Sequence, residues 1–462
     1  MHSSNVESRV VTKVMWRLIP FLIVLYVFNY LDRVNINVAK LEMNKDLGLS
    51  DYAYGLGVSI FFIGYFIFEV PSNIIMERVG ARVWIARIMI SWGLVSTAFM
   101  FVKGEKSFYA LRFLLGATEA GFFPGILLYL TYWIPARQRA RVGAVFMTSI
   151  ALSGLIGNPL NGWIMQATKG SAGLAGWQWI FLIEGIPTVL LGVAVLYFLT
   201  DKPEHAEWLE TGEREWLCAH LNDERARTHA EHGRHHFIDA LKSGRVWLLS
   251  LIYMTLMIGF YPINYWAATI IKEVYPKEWL KSGELEVSSA TIGLLNALPF
   301  VGAIIGMVII GRISDRLGQP RKVVAACQFV GCLGIVGVSQ MHGFASTMVC
   351  LTIAAIGIFG ALAPFWSLPP AFLSGTAAAA GLAFINSWGN LGGGYAGNHL
   401  MGYLKDKYKN EPFSYSYGLL ADAGALALGV GLTLSIKLKR KSVDDDAVSQ
   451  NIIGNEAKEL AS

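Results

Sequence analysis

Long apolar runs separated by short polar breaks follow one another from near the start of the chain to about residue 437. Runs of roughly 20 continuous apolar residues are long enough to cross the hydrocarbon layer as helices, and their continuity predicts helices rather than a barrel. The pattern predicts about twelve spans. The first six lie near 15–38, 54–76, 83–102, 107–133, 141–166 and 178–199, the second six near 246–271, 288–311, 322–341, 345–368, 375–403 and 415–437. A polar stretch, Thr200 to Arg245, rich in Glu, Arg and His, parts two halves of six. The expected organisation is an N-terminal bundle at 1–200, a cytoplasmic central loop at 201–245, a C-terminal bundle at 246–438 and a cytoplasmic tail at 439–462.

Lys and Arg in short loops set the orientation. Arg137, Arg139 and Arg141 share one side with Arg312, Arg316, Arg321 and Lys322, and with Lys437 to Lys441. That side is cytoplasmic, and an even number of spans puts both termini there. The segment Met1 to Lys13 is polar and the first apolar run is long enough to span, so a cleavable signal peptide is not expected.

Charges inside the apolar runs break the pattern. Asp32 and Arg33 are adjacent in the first run, and Arg112 and Glu119 lie in the fourth. Ionisable groups in hydrocarbon need partners or a water-filled cavity. Arg112 and Glu119 are seven residues apart, close to two helical turns, so they face one way. Two acids and two bases could satisfy each other across a cavity, or hold an anion and a proton in turn. A guanidinium fits a carboxylate with two hydrogen bonds, which makes Arg33 and Arg112 candidate anion binders. An acid beside a cation stays ionised. If the cation turns to a substrate, desolvation makes the acid take a proton, so Asp32 and Glu119 are candidate proton carriers. Arg87 in the third run reads as a snorkelling or packing residue.

A polar motif occurs twice, about half the chain apart. Asn73-Ile-Ile-Met-Glu77-Arg78-Val-Gly80-Ala-Arg82 follows the second span, and Gly311-Arg-Ile-Ser-Asp315-Arg316-Leu-Gly318-Gln-Pro-Arg321 follows the eighth. Duplicated halves are a hallmark of secondary transporters. Gly permits a tight turn, and the acid and bases can clamp neighbouring helix ends.

Composition agrees with this picture: 54% of residues are hydrophobic and 15% charged, against about 25% charged in soluble domains. Mean hydropathy is +0.46. The net charge of +5 is a topology signal rather than a nucleic-acid footprint. Cys218, Cys327, Cys332 and Cys350 show no C-x-x-C spacing, and His235-His236 lack partners at ligand spacing, so neither a metal nor another cofactor is expected. The aspartates 444–446 read as a solvated tail.

With these residues in view, the chain resembles the major facilitator superfamily. Its two repeated loops look like that superfamily's signature loop, the first with Asn73 and Glu77 in place of glycine and aspartate. More narrowly, it resembles the anion:cation symporters, carriers of tartrate, hexuronates, aldarates, aldonates and some aromatic acids. The matching stretches are Leu31-Asp32-Arg33-Val-Asn35-Ile36, Phe68-Glu-Val-Pro71-Ser-Asn73 and Arg112-Phe-Leu-Leu-Gly116-Ala-Thr-Glu119-Ala-Gly-Phe-Phe-Pro124-Gly125. Pro364-Phe-Trp366-Ser-Leu-Pro369 and Ile385-Asn386-Ser-Trp-Gly389-Asn390-Leu-Gly-Gly complete the set. The resemblance spans about residues 10 to 440. It implies an all-α membrane protein of the major facilitator fold, with two six-helix bundles around a central polar cavity.

The resemblance also implies roles. Asp32 and Glu119 match the family's protonation sites, and Arg33 and Arg112 match arginines that serve the anion or partner the acids. Tyr30 and Tyr65 match tyrosines lining the site. Trp366 and Asn386 would complete it from the second half, the indole as a wall and the amide as a partner for substrate hydroxyls. Glu77, Arg78, Gly80, Arg82, Gly311, Asp315, Arg316 and Gly318 belong to the signature loops. Tyr261, Asn264 and Tyr265 are weaker candidates. Gly392, Gly393 and Gly394, and Gly154, Gly157, Pro159 and Gly162, read as surfaces for close helix packing.

The leading expectation is an importer of a small hydroxy-carboxylate or sugar acid by proton symport, in the bacterial inner membrane. The expected partners are that anion, the proton and the lipid bilayer, with a monomeric chain and no nucleic acid. Export or antiport by the same fold, and symport of an aromatic acid, are the alternatives. A membrane enzyme lacks support, since the sequence holds no P-loop, G-x-S-x-G or H-E-x-x-H. A non-transporting sensor would have no need of the intramembrane charges.

Overall fold

Ten described helices are long and apolar enough to cross a membrane. They belong to a computed structural model that describes residues 2–232, 243–280, 286–369 and 375–436. In the first half, His2–Leu47, Asp51–Val79 and Ala81–Ala98 form the first three spans. Glu105–Glu119 and Phe122–Thr131 together make the fourth, Ala136–Ala167 the fifth and Gly176–Phe198 the sixth. In the second half the seventh, Gly244–Tyr265, is continued by Ala267–Val274. Ser289–Leu317, Pro320–Gln340 and Phe344–Trp366 are the eighth to tenth. Gly375–Gly389 and Asn398–Lys407, joined by a π-helical Asn390–Gly397, make the eleventh, and Tyr415–Ser435 is the twelfth.

The apolar pattern predicts unbroken helices over 107–133 and 375–403, and both are interrupted. In the fourth span the chain leaves helical geometry at Ala120 (ψ 132°) and turns at Gly121 (φ +87°). A Cβ on Gly121 would lie 2.3 Å from Ser72 Oγ, so only glycine supplies both the conformation and the space. Pro124, three residues on, has no N–H to return to the Ala120 carbonyl. Glu119 thereby becomes the last residue of its helix. In the eleventh span Gly393 and Gly394 let the chain press against Met257 of the seventh span and Phe62 of the second. The wide π turn places Asn390 toward Tyr261, whose hydroxyl donates to Asn390 Oδ1 at 2.7 Å.

The repeated loops do equivalent work in both halves. Gly80 (φ +100°) and Gly318 (φ +60°) end the second and eighth spans. Arg82 then holds the end of the sixth span: its backbone N–H donates to Asp201 Oδ1 at 2.8 Å, and its Nε lies 3.7 Å from Oδ2. Arg321 donates to the Ile436 carbonyl at the end of the twelfth. Gly311 is a helix residue with open space around it, and Glu77, Arg78, Asp315 and Arg316 are exposed.

The central stretch, expected as a solvated loop, contains the helix Thr211–His232. Its Glu213 is buried against the first helix, 2.7 Å from Lys13 Nζ and 3.3 Å from Arg9 Nε. Lys13, donating to it, holds the Glu213 carboxyl below the usual range. His235-His236, Lys437 to Lys441 and the aspartates 444–446 lie outside the described residues.

The bundles meet along two helix pairs. A Cβ on Gly55 of the second span would lie 2.7 Å from the Asn398 carbonyl of the eleventh. One on Gly162 of the fifth would lie 2.4 Å from the Ser289 carbonyl of the eighth. Asn296 donates to Asn158 Oδ1 at 2.8 Å across the second contact. Such small-residue crossings let helix backbones touch in a medium where apolar burial alone gives no net attraction.

Candidate functional site

Between the bundles lies a cavity of about 30 Å³. This is room for about two water molecules. Tyr26, Tyr30 and Arg33 of the first span, Tyr65 of the second and Phe123 of the fourth wall it on one side. Tyr253, Trp366, Asn386 and Asn390 face them from the second half. Among the described residues Arg33 is the one cation on this wall. The rings of Tyr30 and Tyr65 are each 5.2 Å from its guanidinium carbon and that of Phe61 is 5.4 Å away, so the cation is attracted to ring faces and partly desolvated.

Arg33 is paired with Glu119. Its Nε and one terminal nitrogen each lie 2.6 Å from Glu119 Oε1, and Asn29 Nδ2 donates to the same oxygen at 2.7 Å. Glu119 Oε2 is buried with no hydrogen-bond partner. All three donors converge on one oxygen, and the other is bare.

Arg112 sits elsewhere. It donates to the carbonyls of Gly57 (3.2 Å) and Val58 (3.4 Å) in the second span and lies 4.9 Å from the Phe61 ring. It shares a helix face with Glu119 but lies about 10.5 Å further along the axis at 1.5 Å per residue. It therefore meets a different depth of the bundle and is not part of the cavity wall.

Asp32 also faces away from the cavity. Neighbouring helix residues diverge by about 100°, so Asp32 and Arg33 cannot point the same way. Asp32 accepts from Trp92 Nε1 and Ser96 Oγ of the third span, both at 2.7 Å, and from Thr188 Oγ1 of the sixth at 3.2 Å. Arg87 is exposed and stacked 4.1 Å over the Trp84 ring. Tyr261 bonds Asn390, the Tyr265 carbonyl accepts from Tyr54, and Asn264 donates to its own helix.

Glu69 and Asn35, which stand in the matching stretches without a role assigned to them, and Glu184 and Asn29 complete the polar interior. Glu69, one turn beyond Tyr65 toward the cytoplasm, accepts from Asn386 Nδ2 (3.1 Å) and from the Ser387 hydroxyl, joining the second span to the eleventh. The signal was present: an acid inside an apolar run is a functional candidate by default. Among the described residues no three His, Cys, Asp or Glu side chains converge as a metal site would need.

The extracellular end is held by ion pairs. Asp51 lies 2.7 Å from Lys40 and 3.5 Å from Lys405, and Lys405 is 2.5 Å from Glu273. Lys40 also rests 3.7 Å over the Trp266 ring. Further out, Glu286 bridges Lys45 (2.5 Å) and Lys272 (2.6 Å), which push its carboxyl down to about 2. Lys40, Lys45, Asp51, Lys272, Glu273 and Glu286 line a vestibule of about 870 Å³. The lattice crosses between the halves, so it closes the cavity from outside.

Comparisons with known proteins agree with this geometry. The family model of the Major Facilitator Superfamily matches residues 22–435. A protein of Agrobacterium vitis named "Putative tartrate transporter" is 47% identical over 405 residues, covering 87% of this chain and 90% of that one. The "Quinolone resistance transporter" of Acinetobacter baumannii is 39% identical, covering 87% and 89%. The crystal structure of a D-xylose-proton symporter superposes with a TM-score of 0.70 at 15% identity, covering 92% of this chain and 99% of that chain, a likeness of fold alone. With two pseudo-equivalent six-helix halves, a polar cavity between them and a family match over nearly the whole chain, this protein belongs to the major facilitator superfamily and is a multi-pass membrane transporter.

Proposed function

We propose that the protein imports a small organic anion, a hydroxy-dicarboxylate or sugar acid such as tartrate, an aldonate or a hexuronate, by proton symport with alternating access. One observation carries this reading: Arg33, the sole cation on the cavity wall among the described residues, is bound to a buried acid, Glu119. A substrate carboxylate and Glu119 compete for the same guanidinium. When Glu119 takes a proton from outside, Arg33 turns to the anion, with Tyr30, Tyr65, Trp366 and Asn386 around it. When the anion leaves to the cytoplasm, Glu119 gives up its proton and recovers Arg33. One anion and at least one proton then move together. The cavity is too small for such a substrate in this state, so the bundles part before it enters. Breaking the Asp51 and Lys405 contacts opens the outside, and breaking those of Glu69 with Asn386 and Ser387 opens the inside. The relatives named for tartrate support the substrate class.

The test is counterflow in proteoliposomes with tartrate, galactonate, glucarate, glucuronate, rhamnonate and phthalate, followed by uptake of the preferred anion under an inward acid gradient. Acid-driven accumulation of one of these anions is expected. Export by antiport is a second reading, favoured by the relative named for quinolone resistance. It requires that the same gradient drive substrate out of vesicles of defined orientation. The aromatic cavity wall keeps phthalate, an aromatic acid, in the panel.

A further inference from the structure

Behind the cavity, between the first, third and sixth spans, lies a second pair of buried acids. Asp32 is 2% exposed and Glu184 2%. The amide of Asn35 links them: its Nδ2 donates to Glu184 Oε2 at 3.0 Å and lies 3.5 Å from Asp32 Oδ1. Asp32 is also held by Trp92, Ser96 and Thr188, so several donors spread its negative charge. Glu184 is held differently. Its Oε1 has no hydrogen-bond partner, and neither does Asn35 Oδ1, although both atoms are buried. Among the described residues neither acid has an ion-pair partner. The third span contributes Trp92 and Ser96, the sixth adds Thr188, the fifth brings the uncharged amide of Asn161 beside Glu184, and the other charged group acting on Asp32 is Glu119, itself occupied by Arg33.

Two adjacent buried carboxylates without a cation cannot both stay charged. The donors favour the charge on Asp32, and the bare oxygen of Glu184 is where a proton belongs. We infer that Glu184 is a second proton-binding site of the transporter, coupled to Asp32 through Asn35 and separate from the Glu119–Arg33 pair. The proton arrives from extracellular water, forms the O–H bond at Glu184 Oε1, and is returned to cytoplasmic water. The role in transport rests on the symport reading above; the binding site does not.

Two measurements on the purified, reconstituted protein test it. The first is the infrared difference spectrum between acid and alkaline pH, which shows the C=O stretch of a carboxylic acid as it forms. The expected result is a band in the wild type that is lost in Glu184→Gln and restored, shifted, in Glu184→Asp. Identical spectra for wild type and Glu184→Gln overturn the site, and so does a band that saturating sodium abolishes, since the pair then binds a metal cation. The second is accumulation of the preferred anion at a pH gradient of one unit and no membrane potential. Each coupled proton supports about a tenfold ratio there. Glu184→Gln, with counterflow retained to show a folded and loaded carrier, is expected to reach a ratio about tenfold lower than wild type. An unchanged ratio overturns the transport role. A wild type that shows the infrared band but no acid-driven accumulation keeps the site and removes the symport reading.

Discussion

The two halves share a scaffold and differ in what they bury. Both end their signature loops on a glycine with positive φ, and both use the following arginine to hold the last helix of their own half. Inside the membrane, the N-terminal half buries Asp32, Arg33, Glu69, Arg112, Glu119 and Glu184. The C-terminal half presents to the cavity Tyr253, Trp366, Asn386 and Asn390, which carry no charge. Among its described residues, Asp422 is a buried acid away from the cavity and Lys405 belongs to the extracellular closure. A duplicated frame need not duplicate chemistry. On the symport reading proposed above, concentrating charge in one half would let a proton alter the attraction between that half and the substrate.

This division can be broken most directly at Arg33. Removing one partner of a buried ion pair costs about 3–5 kcal/mol and leaves the other exposed to the full penalty. Arg33→Ala should therefore lower uptake by at least about 100-fold, measured as initial rate of labelled substrate in proteoliposomes. Near-normal uptake would take the anion away from the N-terminal half.

Glu119→Gln sharpens the same point. Glutamine keeps the size of the protonated acid, frees Arg33 and cannot titrate. Counterflow exchange should persist, because a loaded carrier can reorient without net proton movement. Accumulation driven by external acid should vanish, and its survival would remove Glu119 as an obligatory proton carrier.

Across the cavity the expected effect is smaller and of another kind. Asn386→Ala removes an amide that donates to Glu69 at 3.1 Å and that, on the reading above, would bond a neutral substrate hydroxyl. A neutral hydrogen bond contributes about 1 kcal/mol. KM should rise about five- to tenfold while the response to a pH gradient is kept. A loss of coupling with unchanged KM would show that the C-terminal half also handles the proton.

The smallest effect is expected at the extracellular rim. Glu286 is half exposed, and pairs of that kind contribute about 0–1 kcal/mol. Its carboxyl titrates near 2, below the usual value, so its support of the closed rim is complete above the ordinary glutamate range and fades only as pH falls toward 2. Acidity in the range of transport assays leaves it charged. Glu286→Gln should change uptake less than about twofold between pH 5 and 7, with any difference shrinking at high salt.

Much was legible from the chain alone, because a bilayer punishes ambiguity. Every backbone polar group must bond within its helix, so runs of about 20 apolar residues fix the spans, and basic loops fix their direction. The repeated motif showed the duplication, and a charge in an apolar run marks itself. What the linear pattern leaves open is which way each side chain points and what it meets. Asp32 and Arg33 are neighbours in sequence, yet a helix turns them about 100° apart, one toward the third and sixth spans and the other into the cavity. Arg112 and Glu119 share a face, yet two turns of depth give one the carbonyls of the second span and the other Arg33. The breaks at Gly121 and at Asn390–Gly397 arise because neighbouring helices press against glycines, and that crowding exists only once the helices are packed. Partner choice among buried charges belongs to the tertiary structure for the same reason: a few ångströms of depth or a quarter turn of helix decides it, and neither is set by the order of residues in one segment.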